Sequence, residues 1–222
     1  SVLAVFGRQP ILPESMDFMR ETSQQSDWPY SMNNKMPYTL WWVRCVHDWY
    51  CWTGDAGYVR PHQEYLRGLF KTMVRNITPE NRFKCNGFLD WPTQKNPKAV
   101  DSGMQALAVK AFDCGAVLAA VLGDDDMKSV CEAGSARIRQ NKVDPEGSKQ
   151  AAALLALTGL RTPREMADQV LCRNGVAGVS TFYGYYMLEA LSAAGENQAA
   201  LDTVRDYWGA MLDMGATSFW ED

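Results

Sequence analysis

Glycines 123, 159 and 195 each close an apolar run of helical period, and they are evenly spaced: 159 − 123 and 195 − 159 both equal 36. Gly54 closes an earlier run and precedes Gly123 by 69 residues (123 − 54), close to twice that interval. Helices end readily on a left-handed glycine, so each of these positions marks a turn. One interval holds two helices and two turns. The spacing therefore predicts stacked helical hairpins, arranged as an open solenoid or a closed toroid.

The stretches between these glycines carry start signals. Pro37 opens a helix that runs to about Thr53, and the Thr-Gly-Asp at 53–55 turns it into a second helix that reaches about Asn76 with Asp55 as its N-cap. A loop of about 25 residues rich in Pro, Asn and Lys follows, from 77 to 101; Ser102 then caps a helix ending at Gly123. The acids of "GDDD" start another, to about Asn141, and one more runs from about Gly147 to Gly159. "TPRE" at 162–165 is a capping box with proline at the first helical position. A helix from about Ser180 ends at Gly195, and "ENQAALDTVRDYWGAML" opens the last. No run alternates at period two, so the class is all-α, one unit over residues 1–222 with about eight long helices.

The helix faces separate toroid from solenoid. In "MPYTLWWVRCVHDWYCW", Tyr38, Trp41, Cys45, Trp49 and Trp52 form one stripe and Trp42, Val46 and Tyr50 another, so the helix is apolar nearly all round. The helices around 56–76 and 128–141 are amphipathic instead. Buried and amphipathic helices in alternation predict an inner ring wrapped by an outer one, which is the toroid.

Charge and cysteine content narrow the function. A net charge of −4 and a pI of about 5.3 supply no basic field for a phosphate backbone, which argues against nucleic acid as a partner. No uninterrupted apolar stretch is longer than Ala116 to Leu122, which is short of a membrane span, and "SVLAVFGRQP" lacks the charged region and cleavage site of a signal peptide. The six cysteines form no CxxC pair and sit mostly in apolar helical runs, as free thiols do. With two histidines in the chain, no metal cluster and no cofactor is expected, and proton transfers fall to carboxylates.

Polar groups set in aromatic sequence occur where inner helices begin: "DWPYSMNNKMPY" (27–38), "FLDWPTQ" (88–94), "GVSTFYGYY" (178–186) and "YWGAMLDMGATSFWE" (207–221). Aromatic faces stack on the C–H face of a pyranose while amides and carboxylates bind its hydroxyls, so this composition suits a sugar. Among the carboxylates Glu221 is the leading candidate for a general base: Gly215 and Ala216 allow close backbone approach, Thr217 and Ser218 offer hydrogen bonds, and Trp220 offers a shield from water. "HD" at 47–48 reads as a core histidine or a local ion pair, and "GDDDM" as helix capping.

Residues 175–222, ending on "GATSFWED", closely resemble the end of the catalytic domain of bacterial α-L-rhamnosidases, glycoside hydrolase family 78, with its Gly-Ala-Thr-Thr-x-Trp-Glu motif. "MPYTLWWVRCVHDWYCWTGD" is similar to the family's aromatic helix, "FLDW" to its Asp-Trp loop and "SKQAAALLALTGL" to its Gln-containing inner helix. The resemblance implies an (α/α)6 toroid and inverting hydrolysis of terminal α-L-rhamnosides, and therefore a carbohydrate partner. It implies Glu221 as the base that activates water, and Trp220, Asp90, Trp91, Tyr38 and Trp42 as lining of the sugar pocket.

An inverting enzyme also needs a general acid, about 6.5–9.5 Å from the base. The family's acid motif, Asp-Gly-x-x-Arg-[Asp/Glu]-Arg, occurs nowhere in residues 1–222, and eight helices fall short of six hairpins. The expectation is an incomplete ring whose acid precedes residue 1, inactive alone, with an apolar flank through which copies associate. Two rival readings remain: a carbohydrate-binding hairpin protein without catalysis, and a related (α/α)6 hydrolase of another sugar specificity.

Overall fold

The structure, a computed structural model, describes residues 5–23, 32, 35–85 and 87–221. Eleven α-helices appear among them: α1 Ile11–Thr22, α2 Met36–Thr53, α3 Ala56–Val59, α4 Gln63–Arg75, α5 Pro97–Leu122, α6 Asp125–Ile138, α7 Lys149–Leu157, α8 Pro163–Met166, α9 Thr181–Ala193, α10 Asn197–Thr203 and α11 Gly209–Asp213. Short 3-10 turns lie at Arg60–His62 and Trp91–Thr93, and π turns at Ala167–Leu171 and Val204–Trp208. The one β-type pairing among the described residues is an isolated bridge between Ile77 and Phe83. The class is all-α, as the periodicity predicted.

The turn chemistry holds residue by residue. Gly54, Gly123, Gly159 and Gly195 have φ of 67°, 68°, 69° and 81°, the left-handed conformation that closes a helix at low cost. Asp55 accepts from the Tyr58 N–H at 3.1 Å and Asp124 from the Met127 N–H at 3.1 Å. Thr162 and Glu165 form the reciprocal capping box.

Three boundaries differ from the sequence reading. α1 was not expected; it buries Met16 alone, too thin an apolar stripe to stand out by period. α5 begins at Pro97, not at Ser102, because Asn96 caps it by accepting from the Ala99 N–H at 3.2 Å; Ser102 lies buried within the helix. Pro61 interrupts the helix expected over 56–76 with a 3-10 turn, as a ring without an N–H does.

The chain forms two compact units: Ser1–Asn86 with Leu107–Asn141, and Gly87–Ala106 with Lys142–Asp222. In the first, α4 packs on α6 and α1 on α2. Leu66, Leu69, Phe70 and Met73 of α4 are buried, the amphipathic pattern read from the sequence. Gly115 of α5 faces the Phe70 ring and Gly134 of α6 the Phe112 ring, each with less room than a Cβ needs. α2 is less uniformly buried than its composition predicts: Trp42, Val43, Val46 and Trp49 are enclosed, while Tyr38, Cys45 and Trp52 stay exposed.

In the second unit, α9 packs against α7, and α8, the 167–171 turn, α10 and α11 follow around them. Ala151 to Leu155 of α7 are all buried.

α5 is, by length and composition, the one helix among the described residues able to cross a membrane. Asp101, Lys110 and Asp113 interrupt its apolar sequence, and 61% of its most apolar window is buried within the protein, as in a core helix. All six cysteines are free thiols.

Candidate functional site

A buried polar cluster of the second unit lies where α7 and α9 begin. Asp90 ends the 88–90 loop and opens the Trp91–Thr93 turn, its Oδ1 accepting from the Trp91 N–H at 2.9 Å. The Ser180 hydroxyl, at the N-cap of α9, donates to Asp90 Oδ2. Both residues are buried. A buried carboxylate must be paired or hydrogen-bonded, and here a backbone amide and a hydroxyl do so at the start of a helix, whose dipole also favours negative charge.

Behind this pair stands Gln150, 1% exposed. Its Oε1 lies 2.8 Å from the Thr93 hydroxyl and 3.1 Å from the Ser148 hydroxyl, a pair that also bond each other at 2.8 Å; its Nε2 donates to the Gly178 carbonyl at 2.9 Å and, more weakly, to Ser180 Oγ at 3.5 Å. Next to it, Lys149 is buried, with Nζ donating to the carbonyls of Leu171 (2.9 Å) and Gly175 (2.6 Å). Burial holds the Lys149 amine below its ordinary pKa. Lys149 and Gln150 together tie down the 172–178 loop that leads into Ser180.

The chain end meets the same helix. Thr181, directly after Ser180, donates its hydroxyl to the Trp220 carbonyl. Phe219 lies edge-on to Trp208 at 6.4 Å, and Trp208 in turn fills the space beside Gly184 of α9. The Asp-Trp loop and the Phe-Trp-Glu end are thus both bonded to consecutive residues at one helix N-terminus.

The nominated residues are placed unequally. Asp90 and Trp220 are joined through Ser180 and Thr181; Trp91 is 56% exposed, edge-on to Phe88 at 5.1 Å, and Trp220 is 40% exposed. Glu221 is exposed, and its carboxylate has no hydrogen bond among the described residues, so the bonds expected from Thr217 and Ser218 are not formed.

Tyr38 and Trp42 belong to the first unit. Tyr38 is 40% exposed. Trp42 is enclosed at 2% exposure, with its indole N–H donating to the Met16 carbonyl at 2.9 Å and its ring edge-on to His62 and Tyr65. Its part there is packing. Of the 27–38 stretch, residues 27–31, 33 and 34 lie outside the described residues.

"HD" at 47–48 is the local ion pair that was expected: Asp48 takes the Arg44 guanidinium at 2.7 Å and His47 Nδ1 at 2.9 Å. The Asp48 hydrogen bond raises the His47 pKa to about 9. His62 is the opposite case, driven down to about 4 by burial and by Arg20, whose guanidinium donates to Nδ1 at 2.9 Å.

A cavity of about 390 Å³ opens in the first unit beside Glu64, Arg67, Lys71 and Asp126; no nominated residue lines it. Among the described residues no three His, Cys, Asp or Glu side chains are grouped to hold a metal.

Sequence reasoning marked the stretches holding Thr93 and Gln150 but nominated neither of them, nor Lys149, as a site residue. The signal for Lys149 and Gln150 was visible, a lysine and a glutamine at the head of a helix otherwise built of Ala and Leu.

Fold and cluster define an all-α chain of helical hairpins with aromatic and carboxylate groups gathered at helix starts. No protein-family model matches it, and no curated protein sequence does. Solved structures do. A glycoside hydrolase family 78 rhamnosidase of Bacillus sp. GL1 superposes with a TM-score of 0.80 at 19% identity, over 97% of this chain and 26% of that one. A rhamnosidase from Klebsiella oxytoca with rhamnose bound gives 0.69 at 18% identity, over 84% of this chain and 40% of that one. The chain spans about a quarter and two fifths of the lengths of these proteins, and shares with them the fold expected of part of a six-hairpin toroid.

Proposed function

We propose that this chain is part of the catalytic domain of a glycoside hydrolase that cleaves terminal α-L-rhamnosides with inversion. Glu221 is the general base on water; Trp220 and Trp91 offer ring faces to the sugar, and Asp90 accepts a hydroxyl. The observation that carries this reading is the pair of bonds from Ser180 to Asp90 and from Thr181 to Trp220. They bring the two motifs most like the rhamnosidase pattern to one helix start, in a chain whose fold matches two rhamnosidases.

Inverting hydrolysis takes two carboxyl groups, a base activating water on one face and an acid protonating the leaving oxygen on the other. Glu221 supplies the first, and its exposed carboxylate can receive a water proton. No motif in residues 1–222 supplies the second, so residues 1–222 alone should turn over an aryl α-L-rhamnoside little or not at all. Robust turnover by this chain would overturn that assignment. In the full-length protein, proton NMR of the first-formed sugar should show the β-anomer; the α-anomer would mean retention and a different role for Glu221.

A second reading, sugar binding without hydrolysis, is favoured by the absence of any hydrogen bond fixing the Glu221 carboxylate among the described residues. It predicts calorimetric binding of L-rhamnose by the full-length protein and no released sugar.

A further inference from the structure

The side-chain amide of Gln150 is bonded at both its oxygen and its nitrogen. An amide offers two acceptor positions and two N–H donors. Here Oε1 accepts from the Thr93–Ser148 hydroxyl pair, whose two oxygens also bond each other at 2.8 Å, and Nε2 donates to Gly178 and Ser180. Packing alone does not call for this: the buried positions of α7 that follow, Ala151 to Ala156, are all Ala and Leu. Burying an amide is costly unless each of its groups is matched, so the residue makes sense where its bonds set the geometry of something else.

What they set is the pair nominated to meet the sugar. Thr93 closes the turn that Asp90 and Trp91 open, its N–H bonding the Asp90 carbonyl at 3.1 Å. Ser180 donates to the Asp90 carboxylate, and because a Gln150 N–H points at the Ser180 oxygen, the Ser180 proton is directed away from Gln150 and towards Asp90.

We propose that Gln150 is a positioning residue of the sugar site: through Ser180 it fixes the Asp90 carboxylate, and through Thr93 the turn carrying Trp91, so that both reach a sugar in one orientation. This rests on the sugar-site reading given above. Gln150 itself touches no sugar. Gln150→Glu keeps the shape but replaces the two donors with acceptors, repelling the Gly178 carbonyl and drawing the Ser180 proton from Asp90. Gln150→Met removes the bonds at both ends of the amide without adding charge.

The test compares wild type, both variants and Leu155→Val, a core change in the same helix remote from the amide. L-rhamnose affinity and hydrogen exchange at the Trp91 amide are read below every thermal midpoint. Expected are at least about tenfold weaker binding and about tenfold faster Trp91 exchange in both Gln150 variants, with neither change in Leu155→Val. Wild-type affinity and exchange in a folded Gln150 variant would overturn the proposal, as would a loss of affinity in Leu155→Val that tracks its midpoint. Failure of Gln150→Met to fold would make the residue structural and overturn it too. If the wild-type chain binds no rhamnose, the sugar-site reading falls, and the exchange measurement alone still decides the role of Gln150.

Discussion

The Ser180 hydroxyl donates to the Asp90 carboxylate across 90 positions of sequence. That bond gives a buried carboxylate a partner and anchors the Asp-Trp loop to the start of α9. Ser180→Ala removes the hydroxyl and leaves the carboxylate short of a donor. A hydrogen bond to a charged group contributes about 1.5–3 kcal/mol. Urea denaturation of Ser180→Ala should show a loss of that order, and a loss under about 0.5 kcal/mol would mean that Asp90 does not depend on this bond.

Thr181→Val keeps the shape of the next residue and frees the Trp220 carbonyl. The bond is exposed, so the stability cost should stay below about 1 kcal/mol. The local effect should be larger: hydrogen exchange over 216–221 should accelerate while α7 and α9 stay protected. Unchanged exchange there would show that other contacts hold the end carrying Glu221.

The two histidines pull stability in opposite directions with pH. His47, raised to about 9, binds a proton more tightly folded than unfolded; its stabilisation is complete below about pH 6.5 and is lost as pH rises through 9. His62, lowered to about 4, stays neutral when folded while the unfolded chain takes up a proton; stability therefore falls as pH drops from about 6.5 towards 4. Thermal midpoints should peak near pH 6–7, with His47→Gln flattening the alkaline limb and leaving the acid limb. A curve with no alkaline limb in the wild type would contradict the Asp48–His47 assignment.

Gly115→Ala tests the packing of the first unit. A Cβ there would lie 2.2 Å from Phe70 Cζ, and the ring is fully buried. Alanine favours a helix by about 1 kcal/mol over glycine, but overpacking costs about 1–3 kcal/mol. A net destabilisation is expected by calorimetry; stabilisation would show that the Phe70 ring can move aside.

Much of the fold was written locally. The φ of Gly54, Gly123, Gly159 and Gly195 and the caps at Asp55, Asp124 and Thr162 depend on a residue and its near neighbours, so sequence reading found them. α1 escaped because Met16 is its only buried residue, and the Pro97 start escaped because Asn96 is one polar residue in a polar loop. The site divides the same way. Motifs named Asp90, Trp91, Trp220 and Glu221 as a set, but the bonds that join Asp90 and Trp220 run through Ser180, Thr181 and Gln150, whose partners are set by how α7 and α9 pack. Trp42 shows the converse: an aromatic in a promising stripe is enclosed by His62 and Tyr65, contacts that no local pattern specifies.

The most direct measurement is the rate of aryl α-L-rhamnoside hydrolysis by the full-length protein with Glu221→Gln beside the wild type. Loss of a general base should cut turnover by about 10²–10⁴-fold with binding of L-rhamnose retained. Turnover within a few-fold of the wild type would remove Glu221 from the chemistry and, with it, the central claim.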